Sequence, residues 1–373
     1  MLLGQTVCQD PSNYQSRQIL DLLGIYLQLS FGSGRDVQIT TDTSGKYVYL
    51  ILTDSTGAIK VFYSSNFAIN WTQITGASFG DGVFPVIATD HSGEHVYIAW
   101  RDGPDTVHIF FSSNFGVFWA ETASALTIGW DPQVITSASG KHVYASWWKP
   151  LAEKTQIFYS KDFGATWINA DPLETIFGDG VFPQLTTDLS GQYVSDIWAD
   201  RLLGLPNIKI FYSKDFGVTW RESTDSFGAG DDASIISNDS GRYVFAVWRD
   251  NDPIGDIKIF YSKDFGATWT DTTGSFGQGA EPVIITNHTG RNVFAIWQDN
   301  FPTGNIKTFY SSDFGATWND VDSSDTFFGI GEFPNIISDN VAQNIYGLWK
   351  SSVSFTKGIR SFFPLTLMKD KRL

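Results

Sequence analysis

Six times the chain writes nearly the same eight residues. Ser262-Lys263-Asp264-Phe265-Gly266-Ala267-Thr268-Trp269 has close copies beginning at Ser64, Ser112, Ser160, Ser213 and Ser311, at intervals of 48, 48, 53, 49 and 49 residues. A period of that length marks one supersecondary unit repeated, as in propellers and solenoids. It overrides the two-domain expectation that 373 residues would otherwise carry. Within the octapeptide each residue type has a job. A short Asp accepts backbone N–H groups one or two residues on, Gly supplies a φ > 0 turn, and the closing Trp covers the hairpin. Asp162, Asp215, Asp264 and Asp313 are therefore expected to be structural, each stapling its own turn. The two earliest copies are degraded, with Asn66 and Asn114 for Asp and Ala68 for Gly.

The pattern resembles the Asp-box, or BNR repeat, the Ser-x-Asp-x-Gly-x-Thr-Trp hairpin of sialidases and related β-propellers. The similarity spans nearly the whole chain as repeats. Between octapeptides the unit opens with Phe-Gly-x-Gly and often a Pro, as in Phe79 to Pro85 and Phe276 to Pro282. A short apolar strand, a Ser/Thr-Gly turn, a period-two strand (Val96, Ile98, Trp100), a variable loop and a third strand follow. The octapeptide and a fourth strand close the unit, which is one four-stranded antiparallel blade.

The expected fold is all-β, a seven-bladed β-propeller. Its blades span about 31–76, 79–124, 127–172, 177–224, 227–273, 276–323 and 328–363. The last lacks a fourth strand, which residues 25–30 would supply, closing the ring and removing an open sheet edge. The alternative is a six-bladed ring with one unit packed outside it. Residues 1–16 read as a leader without structure, and 17–373 as a single domain.

A net charge of −15 excludes nucleic acid and bare anionic membrane as partners. No apolar run is long enough for membrane insertion. Cys8 stands alone, so no intrachain disulfide forms. Met1-Leu2-Leu3-Gly4 lacks the features of a signal peptide. The chain is expected to be cytoplasmic, or secreted or cell-surface if a leader has been removed, and a monomer.

Strand order puts the octapeptides and the turns between first and second strands at one end of each blade. The Phe-Gly-x-Gly loops and the exits of the second strands lie at the other, where propeller ligands gather. There the chain repeats Trp-x-Asp at Trp100-Arg101-Asp102, Trp198-Ala199-Asp200, Trp248-Arg249-Asp250 and Trp297-Gln298-Asp299, and reads Trp147-Trp148-Lys149 in the third unit. Arg35, Arg101, Asp102, Trp148, Asp200, Arg201, Arg249, Asp250 and Asp299 are the candidate ligand-binding residues. Indoles stack on apolar patches, while Asp and Arg bind hydroxyls or acidic groups. Against this stands the simpler arrangement in which each Asp caps its own loop and each Arg pairs with a neighbouring Asp.

The resemblance implies, for true sialidases, an arginine triad, an Asp acid/base and a Tyr nucleophile. Here Arg35-Asp36-Val37 lacks the family's Arg-Ile-Pro proline. Apart from Tyr14 and Tyr26, every Tyr falls on or beside a second strand (Tyr49, Tyr97, Tyr144) or a third (Tyr159, Tyr212, Tyr261, Tyr310). The chain is thus read as a non-sialidase member with no catalytic residues, binding a glycan or protein ligand. The alternative is a divergent glycoside hydrolase using two channel carboxylates. Propellers resembling photosystem-assembly factors hold protein partners, which adds an assembly-scaffold reading. His91, His95, His108, His142 and His288 show no ligand spacing and fall mostly at the octapeptide end, so no metal or other cofactor is expected. Loop carboxylates would admit Ca2+, although no calcium-loop motif is present.

Overall fold

The computed structural model describes residues 34–122, 128–150, 152–200, 206–250, 255–272, 276–299, 304–321, 330–338, 345–350 and 358–362. The expected closing strand at 25–30 lies outside them, as do Arg201 and the leader. Every described element is a strand. The first sheet comprises β1 (Gly34–Thr41), β2 (Val48–Asp54), β3 (Ile59–Ser64) and β4 (Thr72–Gln73). The second has β5 (Val83–Thr89), β6 (Val96–Arg101), β7 (Val107–Ser112) and β8 (Ala120–Glu121). The third has β9 (Trp130–Thr136), β10 (Val143–Lys149), β11 (Lys154–Ser160) and β12 (Ile168–Asn169). The fourth has β13 (Gly180–Thr187), β14 (Val194–Asp200), β15 (Asn207–Ser213) and β16 (Arg221–Glu222). The fifth has β17 (Asp231–Ser237), β18 (Val244–Arg249), β19 (Ile257–Ser262) and β20 (Thr270–Asp271).

The sixth and seventh repeats depart from separate blades. They are β21 (Ala280–Thr286), β22 (Val293–Gln298), β23 (Gly304–Ser311), β24 (Asn319–Asp320), β25 (Ile330–Ser338), β26 (Ile345–Lys350) and β27 (Gly358–Phe362). They join into one seven-stranded sheet because β23 pairs with β25 at Gly304–Gly331 and Asn305–Ile330. The link extends what other repeats do with one bridge, such as Thr106 to Ile128 or Asp256 to Gln278.

The chain divides into two compact units. One comprises residues to Ala145 with Ser160–Ile168, the other Ser146–Tyr159 with Asn169 onward. In the first, β1 lies beside β5 and β5 beside β9; in the second, β13, β17, β21 and β25 follow one another likewise. Second strands are buried almost throughout, which their Val, Ile, Ala and Trp content dictates.

The Phe-Gly-x-Gly signature builds the core of the second, fourth, fifth and sixth repeats. Phe79 meets Trp100, Phe110 and Trp119 edge-on with centroids 6.0, 5.4 and 5.8 Å away, and Phe227 repeats this with Trp248, Phe260 and Trp269. Such geometry sets positive ring edges on negative faces. The second Gly admits the indole: a Cβ on Gly230 would lie 2.4 Å from Trp248 Cδ1. The Trp of Trp-x-Asp is consequently core. Trp100, Trp198, Trp248 and Trp297 are all buried, which corrects the expectation of indoles on the exit face.

The octapeptides are staples, with a longer reach than expected. Asp264 Oδ1 accepts the Thr268 amide four residues on (2.9 Å), Oδ2 accepts the Thr268 hydroxyl (2.8 Å), and the Ser262 hydroxyl donates to Oδ1 (2.9 Å). Asp162, Asp215 and Asp313 do the same. Burial pushes these carboxyls up, but the hydrogen bonds outweigh it and hold all four below the ordinary range. The octapeptide Phe also has positive φ, and its ring stacks on the preceding blade: Phe115 on Tyr47 (4.5 Å), Phe163 on His95 (4.6 Å), Phe265 on Tyr193 (4.0 Å). The turns thus join neighbouring blades as well as closing their own.

Candidate functional site

At the exit end of the first two sheets the Asp at the end of the second strand closes its own loop. Asp54 Oδ1 accepts the amides of Thr56 (2.8 Å) and Ala58 (3.0 Å), and Asp102 Oδ1 accepts that of Thr106 (2.7 Å). Asp250 lies 3.7 Å from Lys258. The Asp299 amide donates to Asn305 O (2.8 Å), and Asp200 pairs in register with Gly180 and Asn207. Arg35 contacts Asp36 at 3.7 Å on an exposed side chain.

The two remaining arginines sit in different surroundings. Arg101 Nη1 donates to Asp105 Oδ1 at 2.8 Å, and its guanidinium lies over Trp130 (4.5 Å from the centroid) and Phe84 (5.6 Å). Trp130 is 37% and Phe84 48% exposed, while the Arg101 side chain beneath them keeps 15% of its surface, so the two rings form most of the exposed face. Buried Arg101 Nε has no hydrogen-bond partner. Arg249 instead grips Asp231 with two 2.8 Å bonds, Nε to Oδ1 and Nη2 to Oδ2, and has Asp232 at 3.7 Å. Burial and the Asp231 charge raise the Asp232 carboxyl above the ordinary range, against the pull of Arg249 and the Glu281 amide. Trp148, half-buried, donates from Nε1 to Asp179 Oδ1 at 3.1 Å, and Lys149 donates to Glu174 Oε1 at 2.5 Å.

Phe84 and Trp130 are site residues that sequence pattern missed, and Phe182 takes the place of Phe84 in the fourth repeat. First strands carry a bulge, as between Val83 and Val86 or Val181 and Gln184, and six of them have one residue there at positive φ. That residue is Asp36, Phe84, Asp131, Phe182, Asp232 or Glu281, with φ of 50–54°. A bulge re-aims the side chain it carries. In two repeats the signal is the paired text Asp-Gly-Val-Phe-Pro, at Asp81 to Pro85 and Asp179 to Pro183.

His108 also lies at this end, unlike the other histidines. Its Nδ1 is 2.7 Å from Glu121 Oε1 and its Nε2 3.1 Å from Asp102 Oδ2, with the ring stacked on Trp100. Among the described residues no three His, Cys, Asp or Glu side chains gather as a metal site, and no helix is long and apolar enough to cross a membrane.

No family model matches the sequence, and no curated protein does. Solved structures do match. YCF48 bound to D1 peptide aligns with TM-score 0.53 and 10% identity, over 90% of this chain and 99% of its own. A polysaccharide lyase of family PL25, an ulvan lyase, aligns with TM-score 0.55 and 10% identity, over 86% and 90%. An ancestral GH74 enzyme aligns with TM-score 0.53 and 11% identity, over 89% of this chain and 47% of that one. At such identities the similarity shows fold alone, and the fold is the all-β propeller of four-stranded antiparallel blades.

Proposed function

We propose that this chain is a non-catalytic recognition propeller of the Asp-box type, binding a glycan or protein ligand at the end opposite its octapeptides. One observation carries the reading: Arg101, neutralised by Asp105, lies against two part-exposed rings, Phe84 and Trp130. The rings offer apolar faces, and the guanidinium offers donors with their charge already balanced. That suits sugar rings or proline- and aromatic-bearing peptide better than an anion, which the net charge of −15 repels. The peptide held by YCF48 supports the protein-ligand form of the reading. Glycan and peptide arrays on wild type and Trp130→Ala test it: hits that vanish in the variant support it, and hits that persist unchanged overturn this site.

A second reading, glycoside hydrolysis, has one observation in its favour. Asp231 is fixed by two bonds from Arg249, while burial and the Asp231 charge keep its neighbour Asp232 easier to protonate, as a general acid requires. Turnover of chromogenic glycosides, lost in Asp232→Asn, would establish it over the first.

A further inference from the structure

In four repeats the residue facing the second strand's Trp or its counterpart across the sheet is a lysine. Lys60 pairs with Leu52, Lys209 with Trp198, Lys258 with Trp248 and Lys307 with Trp297; in the second repeat His108 pairs with Trp100. The lysines tie carboxylates nearby, Lys60 to Asp54, Lys258 to Asp250, Lys209 to Glu222 and Lys307 to Asp320. His108 occupies that place between Asp102 and Glu121, and does so with a charge that a proton controls.

The contacts run from His108 to the candidate ligand site without a break. Asp102 closes loop 102–106 through the Thr106 amide, and its own amide donates to Thr106 O (3.0 Å). Within the loop, Asp105 holds Arg101 with its carboxylate and accepts the Gly129 amide on its carbonyl (2.8 Å). Gly129 precedes Trp130, over which Arg101 lies. Asp105 adopts φ 70° where the equivalent loops use Gly57 (φ 98°) and Gly255 (φ 77°), so a strained residue is retained where its carboxylate meets Arg101.

We propose that His108 is a proton-operated latch for this site: as imidazolium it donates to both Asp102 and Glu121 and fixes loop 102–106, and on deprotonation it releases one of them. The neutral ring has one N–H and one lone pair, so one carboxylate then faces a lone pair. Asp102 from the loop and Glu121 from β8 are the charged groups that act on the ring, while Arg101 and Asp105 are bonded to each other. Burial pulls the imidazole down, yet the two carboxylates outweigh it and hold the pKa above the ordinary histidine value. The ligand site is thus fixed in mildly acidic solution and loosened as pH rises through the raised value of the folded state. This inference rests on reading Arg101 and Trp130 as a ligand site.

The test needs no ligand. Exchange of the Thr106 and Gly129 amides, measured by NMR from pH 5.5 to 8.5 and corrected for intrinsic rates, is compared in wild type, His108→Lys and His108→Gln. Wild type should lose protection roughly three- to tenfold across the range, the lysine variant should stay protected, and the glutamine variant should be unprotected throughout. Thermal unfolding confirms that each variant folds. A flat wild-type profile, or one unchanged in His108→Lys, overturns the latch. Failure of the arrays overturns the ligand reading and leaves this exchange result standing.

Discussion

Arg101 and Arg249 occupy one position in two repeats, each within Trp-Arg-Asp at the end of a second strand, and their side chains do different work. Arg249 is consumed by structure: two bonds to Asp231, with Asp232 near and Glu281 adding negative charge. Arg101 has one carboxylate, Asp105, and spends its flat face on Trp130 and Phe84. The cause lies outside the motif, in what the neighbouring first strands and loops contribute. Asp231 and Asp232 open β17, whereas Phe84 sits in β5 and Trp130 opens β9. A repeated motif therefore sets where an arginine is placed, and non-repeated residues decide which groups it holds.

The largest expected effect separates the two directly. Arg249→Ala leaves Asp231, Asp232 and Glu281 without their cation in a partly buried setting, and should cost about 1–3 kcal/mol. Arg101→Ala removes one ion pair and two ring contacts, and should cost about 0.5–1.5 kcal/mol. Urea unfolding measures both. Equal costs would mean that both arginines are structural, and the contrast would be gone.

Titration sharpens the same contrast. Asp232 is raised by burial and by Asp231, so its ionisation opposes folding: stability is fullest below the carboxylate's ordinary value and falls as pH rises toward the folded one. Asp232→Asn should flatten that dependence above pH 4, and Arg249→Ala should raise the Asp232 value further in carboxyl NMR spectra. A downward shift in Arg249→Ala would show that the ion pair is not what restrains it.

How far these differences could be read in the sequence depends on period. The octapeptide, the Phe-Gly-x-Gly loop and the period-two strands announced blades because each is local and repeated. The stacking of Phe265 on Tyr193 was hidden, since its partner lies one blade away. Phe84 and Trp130 were hidden for another reason. Phe84 stands at a bulge and Trp130 beside the positive-φ Asp131, and one extra residue reverses which face the following side chains take, so alternation cannot be carried across it. Asp196 shows the same limit inside the core: it fills the place of Ala246 and Ala295, and full burial drives its carboxyl well above the ordinary range.

Removing one exposed ring should matter less to folding than either arginine. Trp130→Ala forfeits the stacking of Arg101 on a part-exposed indole, about 0.5–1 kcal/mol, while ligand binding at this site should fall at least tenfold. Calorimetry against an array hit reads the second number and thermal unfolding the first. A variant that loses stability as Arg249→Ala does, with binding retained, would place Trp130 among the structural residues.

The smallest stability change should come from Asp105→Gly, and it is the sharpest of these comparisons. The equivalent loops already use Gly57 and Gly255 with positive φ, and their carbonyls accept Gly82 and Gly279 amides as Asp105 accepts that of Gly129. Glycine therefore fits the loop, relieving about 1 kcal/mol of left-handed strain. Against this stand the lost pair with Arg101 and the freer unfolded chain, together about 1–2 kcal/mol. The net change should stay within about 1 kcal/mol. Binding should respond differently, because Arg101 loses both its orientation and its counter-charge: a neutral ligand should weaken and an anionic one, such as an oligogalacturonate, should gain. If neither moves, Asp105 holds the loop alone, and Arg101 is as structural as Arg249.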